Sequence, residues 1–121
     1  MERPYRQITW NRAGEVLCVR LVHKKMDEPA LEEMGAELGR LIDEENARKI
    51  VLDLCLEEPL CLYSVFLAKL VTLHRRLHER SGAMALSQVS EAGMDIFDAA
   101  GLRKFFSFYP DQTSAVAALA G

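Results

Sequence analysis

Two kinds of hydrophobic pattern alternate along this chain, and their alternation limits the fold more than any single motif does. Short apolar runs such as 16–22 and 50–54 suit β-strands, and 50–54 lacks the polar alternation of a half-exposed strand. Between them, segment 29–45 carries apolar residues at helical spacing. Strands that are separated by helices pair in parallel through crossover connections. The pattern therefore predicts an α/β fold.

The predicted order of elements is ββαβαβαβα. A hairpin comes first, because the segment from Asn11 to Gly14 is a turn signal between two strand-like runs. Ser90 and Asp111 are expected to cap helices, since each short polar side chain precedes a helical segment. We expect a mixed, mostly parallel sheet with an antiparallel N-terminal edge strand and flanking helices. The predicted strands are 5–10, 16–22, 50–54, 84–88 and the aromatic run 105–109, and the predicted helices are 29–45, 64–80, 90–99 and a last one that follows Asp111.

Length and charge limit the class of protein. The 121 residues suit one domain, 1–121, and 50% of them are hydrophobic, which is enough for a core without disulfides or metal. A net charge of −3 argues against direct binding to nucleic acid, because such domains carry a basic excess. No run approaches the roughly 20 apolar residues of a membrane span, and the N-terminus does not resemble a signal peptide. We therefore expect a cytoplasmic domain that contacts neither nucleic acid nor membrane.

The cysteines and glycines show no pattern typical of a metal or nucleotide site. The three cysteines are Cys18, Cys55 and Cys61. None lies in a Cys-x-x-Cys pair or beside a histidine at zinc-ligand spacing, so we expect small buried thiols. A Cys–His nucleophile is the alternative, and no local signature supports it. Glycine-rich phosphate loops are missing as well, so the sequence predicts no metal and no cofactor.

Two helices carry residues whose packing can be predicted. Gly35 and Gly39 each weaken the first helix by about 1 kcal/mol relative to alanine, so we expect their small size to allow close packing onto a sheet. The second helix ends in basic residues, Arg75, Arg76 and Arg80. They suit the negative end of the helix dipole, and we expect this face to be solvated.

Asp53, at the carboxyl end of a predicted strand, lies where ligands of open α/β sheets collect. The strand-end acid and the following Pro59 are similar to the phosphoacceptor loop of response-regulator receivers. Other receiver features are missing, because residues 23–25 are His-Lys-Lys where paired acids would hold Mg²⁺, and Tyr109 takes the place of the usual lysine before Pro110. We expect instead that amides of the neighbouring loop satisfy Asp53.

Ser64 stands at the predicted start of the second helix. A serine there can accept hydrogen bonds from the free N–H groups of the first turn, which explains it as a cap without further function. The same N–H groups and the helix dipole would stabilise a phosphate on its hydroxyl. Ser64 is therefore also suited to act as a phosphorylation switch.

Several segments together resemble the STAS family, the domain of anti-sigma factor antagonists, over nearly the full chain. The strand Ile-Val-Leu-Asp-Leu at 50–54 and the loop and helix Leu-Cys-Leu-Tyr-Ser-Val-Phe-Leu-Ala-Lys-Leu at 60–70 look like the family's central strand and its Asp-Ser-Ser-Gly-Leu-Gly loop. Leu-His-Arg-Arg-Leu at 73–77, Gly82 to Val89 and Ile-Phe-Asp-Ala-Ala-Gly-Leu at 96–102 follow in the family's order.

The resemblance implies a non-enzymatic role. Antagonists of this family bind an anti-sigma factor, often a serine kinase, and so free a sigma factor, and phosphorylation of the loop serine breaks the complex. Ser64 takes the phosphoacceptor position. Tyr63 replaces the family's acid, Val65 its second Ser or Thr, and Phe66 and Ala68 its glycines. Tyr63, Val65 and Phe66 are then either core residues of a degenerate loop or an apolar contact patch.

The sequence thus predicts a protein-interaction module of bacterial signalling that binds a kinase-like anti-sigma factor. Asp53, Tyr63, Val65, Phe66 and Lys69 are the candidate partner-binding residues, and Ser64 is the candidate phosphoacceptor. One alternative is a scaffold or dimerisation domain that forms a homodimer. An enzyme or small-ligand carrier that uses Asp53, Cys55, Cys61 and Tyr63 is the other.

Overall fold

A five-stranded sheet with the strands in sequence order forms the centre of the protein. The structure, a computed structural model, describes residues 5–22, 28–54 and 63–120, and of residues 28 and 63–65 it describes the backbone only. The first two strands pair antiparallel and the other neighbours pair parallel. This confirms the predicted ββαβαβαβα order. The elements are β1 (Ile8–Ala13), β2 (Val16–Leu21), α1 (Glu28–Glu44), β3 (Lys49–Asp53), α2 (Tyr63–Glu79), β4 (Ala83–Ser87), α3 (Glu91–Ala99), β5 (Ser107–Tyr109) and α4 (Gln112–Ala120).

The hairpin turn is tighter and later than the sequence predicts. Ala13 pairs directly with Val16, so only Gly14 and Glu15 connect β1 to β2. Gly14 has φ +65°, a conformation that glycine adopts without strain. The prediction of a turn from Asn11 was wrong because Asn11 is an exposed polar position inside β1, and such a residue looks like turn chemistry in the sequence.

The aromatic strand is shorter than predicted. Only Ser107–Tyr109 pairs with β4, while Phe105 and Phe106 precede the strand. Phe106 is buried and its ring lies 5.2 Å from the ring of His74 on α2. Packing between aromatic rings therefore fixes this segment, and alternation in the sequence could not distinguish that packing from strand pairing.

Both predicted helix caps are confirmed. The Gly93 N–H donates to the Ser90 hydroxyl oxygen at 3.0 Å, and the Ser114 N–H donates to the Asp111 carboxylate at 2.8 Å. The second bond holds the pKa of Asp111 below its usual value. Each cap satisfies an N–H group that the first turn of a helix leaves unpaired.

The two faces of the sheet bury different cores. Consecutive strand residues point to opposite faces, so Ile50 and Leu52 join a large aliphatic core with α1, α2 and α3. Val51 points the other way and packs with Ala115 of α4. Burial on both faces explains why β3 lacks polar alternation. Within the described residues, no helix is both long and apolar enough to span a membrane.

Candidate functional site

A row of polar side chains crosses the sheet at the carboxyl ends of its parallel strands. Arg20, Asp53, Ser87 and Tyr109 occupy neighbouring register positions on β2, β3, β4 and β5. Asp53 lies two residues after Val51, so the row is on the face that α4 covers. The predicted site at Asp53 is therefore on the opposite face of the sheet from α2.

Asp53 is fully buried, and side chains pair with one of its two carboxylate oxygens. Its Oδ2 accepts from the Arg20 guanidinium at 3.0 Å and from the Gln88 amide at 3.1 Å. The backbone of Gln88 has φ +55° in the conformation that brings its amide to Asp53. Non-glycine residues occupy this backbone region at a cost in strain. Among the described residues, the partners of Oδ2 are side chains from two other strand ends. The loop after residue 54 lies outside the described part of the structure, so the expectation that its amides satisfy Asp53 stays a prediction.

Two buried polar atoms of this row have no hydrogen-bond partner among the described residues. They are Asp53 Oδ1 and the Ser87 hydroxyl oxygen, on adjacent strands. Both side chains are fully buried, so neither presents a reactive group to solvent. The two buried members of the row can therefore only support the carboxyl ends of the strands. A partner can reach the row through Arg20, whose side chain is 55% exposed, and through the half-buried Tyr109.

Ser64 lies in the first turn of α2, which begins one residue earlier at Tyr63. Its backbone is thus at the positive end of the helix dipole, directly after the segment that follows β3. The side chains of Tyr63, Ser64 and Val65 lie outside the described part of the structure. Cys55, Cys61 and His23 lie outside it as well, whereas Cys18 is described and buried, and this burial raises the pKa of its thiol.

Phe66 belongs to the core. It is 4% exposed and packs in the cluster between the sheet and α1 and α2. The sequence allowed residues 63, 65 and 66 to be either core residues or an apolar contact patch. For Phe66, the core interpretation therefore holds. A side chain this buried offers a partner little area, so Phe66 can influence binding only by holding the first turns of α2 in place.

Of the predicted binding residues whose side chains the structure describes, Lys69 is the one that is accessible, whereas Asp53 and Phe66 are buried. Its side chain crosses α1 at Gly35 and its ammonium group donates to the Glu32 carboxylate at 2.8 Å. A Cβ on Gly35 would lie 2.7 Å from the Lys69 side chain. Beside this crossing runs a groove of about 390 Å³ between α1 and α2. The groove is lined by Glu32, Gly35, Ala68, Lys69, Thr72, Leu73 and Arg76.

Gly39 repeats the arrangement one turn later, because a Cβ there would lie 2.7 Å from the Arg76 guanidinium. The expectation that the two glycines pack onto the sheet was wrong: they make room for long cationic side chains of α2. Arg76 and Arg80 both pair with Asp43 of α1, which holds the pKa of Asp43 below its usual value, mainly through the Arg80 hydrogen bond. Part of the basic last turn of α2 is therefore bound to α1 rather than solvated.

Sequence reasoning missed Arg20 and Gln88 as partners of Asp53. Arg20 could have been identified from the sequence as a residue with a polar partner, since it is a charged residue in an otherwise apolar strand. Gln88 carried none. Among the described residues, no three His, Cys, Asp or Glu side chains converge as a metal site would require.

Solved structures match this arrangement of elements, although no protein-family sequence model matches the chain. An anti-sigma-factor antagonist (STAS) domain protein from Planctomyces limnophilus aligns with a TM-score of 0.82 and 21% identity over 94% of this chain and 98% of that chain. An anti-sigma factor antagonist from Mycobacterium paratuberculosis has a TM-score of 0.79 and 20% identity over 100% of both chains. SpoIIAA from Bacillus, in its phosphorylated form, has a TM-score of 0.68 and 17% identity over 92% of this chain and 97% of its own. The resemblance seen in the sequence is thus confirmed at the level of the fold, and this chain is a STAS-fold domain.

Proposed function

We propose that this chain is an anti-sigma factor antagonist. It binds a kinase-like anti-sigma factor through the first half of α2, and phosphorylation of Ser64 weakens that complex. The observation that carries the proposal is the place of Ser64: it lies in the first turn of the helix that follows the central strand, in a chain with the STAS fold. One structural neighbour, SpoIIAA, is a cell fate determinant with a phosphorylated form.

The exposed side of α2 and its groove against α1 form the docking surface in this proposal. The groove continues from Ala68 to Arg76, so it extends along the same helix that begins beside Ser64. Lys69 adds a positive charge with only 24% of its side chain exposed, and its ion pair with Glu32 fixes where that charge lies. Beneath this surface, Leu70 and Leu77 are fully buried, so α2 is firmly anchored where a partner contacts it.

The switch works through electrostatics. A phosphate on Ser64 adds about −1.5 to −2 charges at the positive end of α2, where the helix dipole stabilises it and the fold is retained. When a partner docks, the same charge must lose water and meets any acidic group of the partner. Phosphorylation therefore penalises the complex and leaves the free domain folded.

Affinity purification of the tagged chain, with its bound partners, from the cells that make it tests the proposal. The tagged chain should retain an anti-sigma factor, identified by mass spectrometry. Lys69→Gln should weaken that complex about fivefold or more, because it removes a charge held at the docking surface. Arg48→Gln makes the same charge change on an exposed side chain directly before β3, at the amino end of the parallel strands, and the affinity of this variant should stay within about twofold of the unmodified chain.

Three outcomes would contradict the proposal. Recovery of the chain with itself alone would favour a scaffold or dimerisation role. A small molecule that stays bound in native mass spectrometry, with no protein partner, would favour a ligand carrier. Equal losses of affinity in Lys69→Gln and Arg48→Gln would place the contact away from α2.

A further inference from the structure

A second groove lies on the distal half of α2, away from Ser64. We call it the distal groove; it has a volume of about 280 Å³ and is lined by His74, Arg75, His78, Glu79 and Phe105. His74 is ten residues beyond Ser64 in the same helix, which is about 15 Å along the axis at 1.5 Å per residue. None of its lining residues lines the groove between α1 and α2, so the distal groove is a separate surface that the proposal above does not use.

Aromatic packing forms one wall of the distal groove. The ring of His74 lies 4.7 Å from the ring of Phe105 and 5.2 Å from the ring of Phe106. Phe106 is buried behind it, whereas Phe105 is 36% exposed, one of two large hydrophobic residues that the described surface exposes to this degree. An exposed aromatic ring that borders a concave surface can accept a further apolar side chain.

His74 contributes a hydrogen-bond donor to this wall. Its Nδ1 is buried with no hydrogen-bond partner among the described residues. Burial, with a smaller contribution from the nearby His78, lowers the pKa of His74, so the ring is neutral at neutral pH. We assign the single ring proton to Nε2, because an unpaired buried acceptor is tolerated better than an unpaired buried N–H. The Nε2–H can then donate to a carbonyl or carboxylate.

The charges around the distal groove differ from those on the rest of α2. Lys69, Arg76 and Arg80 each pair with an acid of α1, and Arg103 pairs with Asp98. Arg75, on the groove wall, and Lys104, next to Phe105 in sequence, have no ion-pair partner among the described residues. Glu79 is the single acid in the lining and balances Arg75, so the excess positive charge at this part of the surface comes from Lys104, in a chain whose net charge is −3.

We propose that the distal groove docks an acidic segment of a partner protein that inserts one apolar side chain against Phe105. The inserted side chain removes the exposed ring from water, and acidic residues on either side of it pair with Arg75 and Lys104. The His74 Nε2–H donates to an oxygen of the same segment. Because the two grooves share no lining residue, the acidic segment does not use the groove beside Lys69.

Chemical-shift mapping of the full chain tests this, with a synthetic peptide of core sequence Glu-Asp-Phe-Leu-Glu-Asp as the probe. The peptide should shift the backbone amides of residues 74–79 and 103–106 and leave those of 66–72 in place. Replacing its Phe-Leu by Ser-Ser should weaken binding about tenfold, since the anchor is lost. Raising the salt from about 0.05 M to about 0.5 M should also weaken it, because the rim charges become screened.

Two neighbouring arginines supply a matched pair of variants. Arg75→Gln should weaken peptide binding several-fold, because this guanidinium is available to the peptide. Arg76→Gln changes the next residue in the same way and should leave the affinity within about twofold, because Arg76 is already bound to Asp43. Phe105→Ser should abolish the shifts while the remaining spectrum stays dispersed.

Each opposite result overturns the inference. No amide shift at millimolar peptide would show that the groove does not take an acidic apolar segment. Equal binding of a peptide with Lys in place of Glu and Asp would remove the charge argument. Shifts of amides 74–79 that depend on the concentration of the chain alone would make a second copy of the chain the occupant.

Discussion

The two faces of the sheet differ in the size and the chemistry of the side chains that they bury. On the face toward α1 and α2, Leu52 lies in a cluster of buried side chains that are almost all aliphatic or aromatic. On the face toward α4, Val51 packs with Val16, Ala85 and Ala115, and the same face carries the buried carboxylate of Asp53. A large apolar core thus supports α1 and α2, and the buried Glu37 carboxylate of α1 lies beside it, where it accepts from the backbone N–H groups of Arg6 and Gln7. A small core that holds the buried Asp53 carboxylate within the sheet supports α4.

The comparison explains where partner surfaces can form. Burial of large apolar side chains is the main stabilising term in folding, so α1 and α2 are anchored more firmly than α4. Both grooves described above lie on α2, and their outer residues are presented from a helix with a fixed base. The α4 face keeps its polar groups inside, where they set the shape of the carboxyl edge.

The largest effect should come from the α1–α2 face. Leu52→Ala should lower the free energy of unfolding by about 2–5 kcal/mol, because it leaves a cavity among large neighbours that cannot close. Val51→Ala on the other face should cost about 1–2 kcal/mol, since it removes less apolar volume beside small residues. Urea denaturation of both variants measures the difference. Equal losses of unfolding free energy would show that the two cores contribute equally to stability and would contradict the difference between the two faces.

A smaller effect should come from the charge in the α4 face. Arg20→Met keeps most of the aliphatic stem and leaves the Gln88 amide as the one partner of the fully buried Asp53 carboxylate among the described residues. We expect a loss of about 1–3 kcal/mol, less than for a fully buried pair because the Arg20 side chain is 55% exposed. The loss is measured by urea denaturation at neutral pH.

Two controls make the Arg20 result specific. Arg12→Met breaks an ion pair with Glu45 in which both partners are partly exposed, and it should cost under about 1 kcal/mol. Adding Asp53→Asn to Arg20→Met removes the uncompensated charge and should recover part of the loss. A double variant less stable than Arg20→Met would mean that the carboxylate is stabilised by something other than Arg20.

Much of the fold could be predicted from the sequence because hydrophobic periodicity reports directly on burial. The apolar run of β3 and the helical spacing of α1 depend on local patterns, and the structure confirms both. The ends of β1 and β5 were predicted wrongly. There, polar residues inside an edge strand look like a turn, and aromatic residues that pack on His74 look like a strand.

The candidate site was harder to predict because its contacts join residues distant in sequence. The resemblance located Ser64, and the structure places its backbone in the first turn of α2. The partners of Asp53 come from β2 and from the residue after β4, and no local pattern connects them. Likewise, the spacing of Gly35 and Gly39 indicates a need for small residues but does not say which side chains cross them.

The affinity of the chain for its captured anti-sigma factor, compared between Ser64→Ala and Ser64→Glu, tests the central claim most directly. The alanine variant keeps position 64 uncharged, so its dissociation constant should stay within about twofold of the unmodified chain. The glutamate variant puts a negative charge at the start of α2 and should bind at least about tenfold more weakly. Equal dissociation constants for the two variants would contradict the phosphorylation switch.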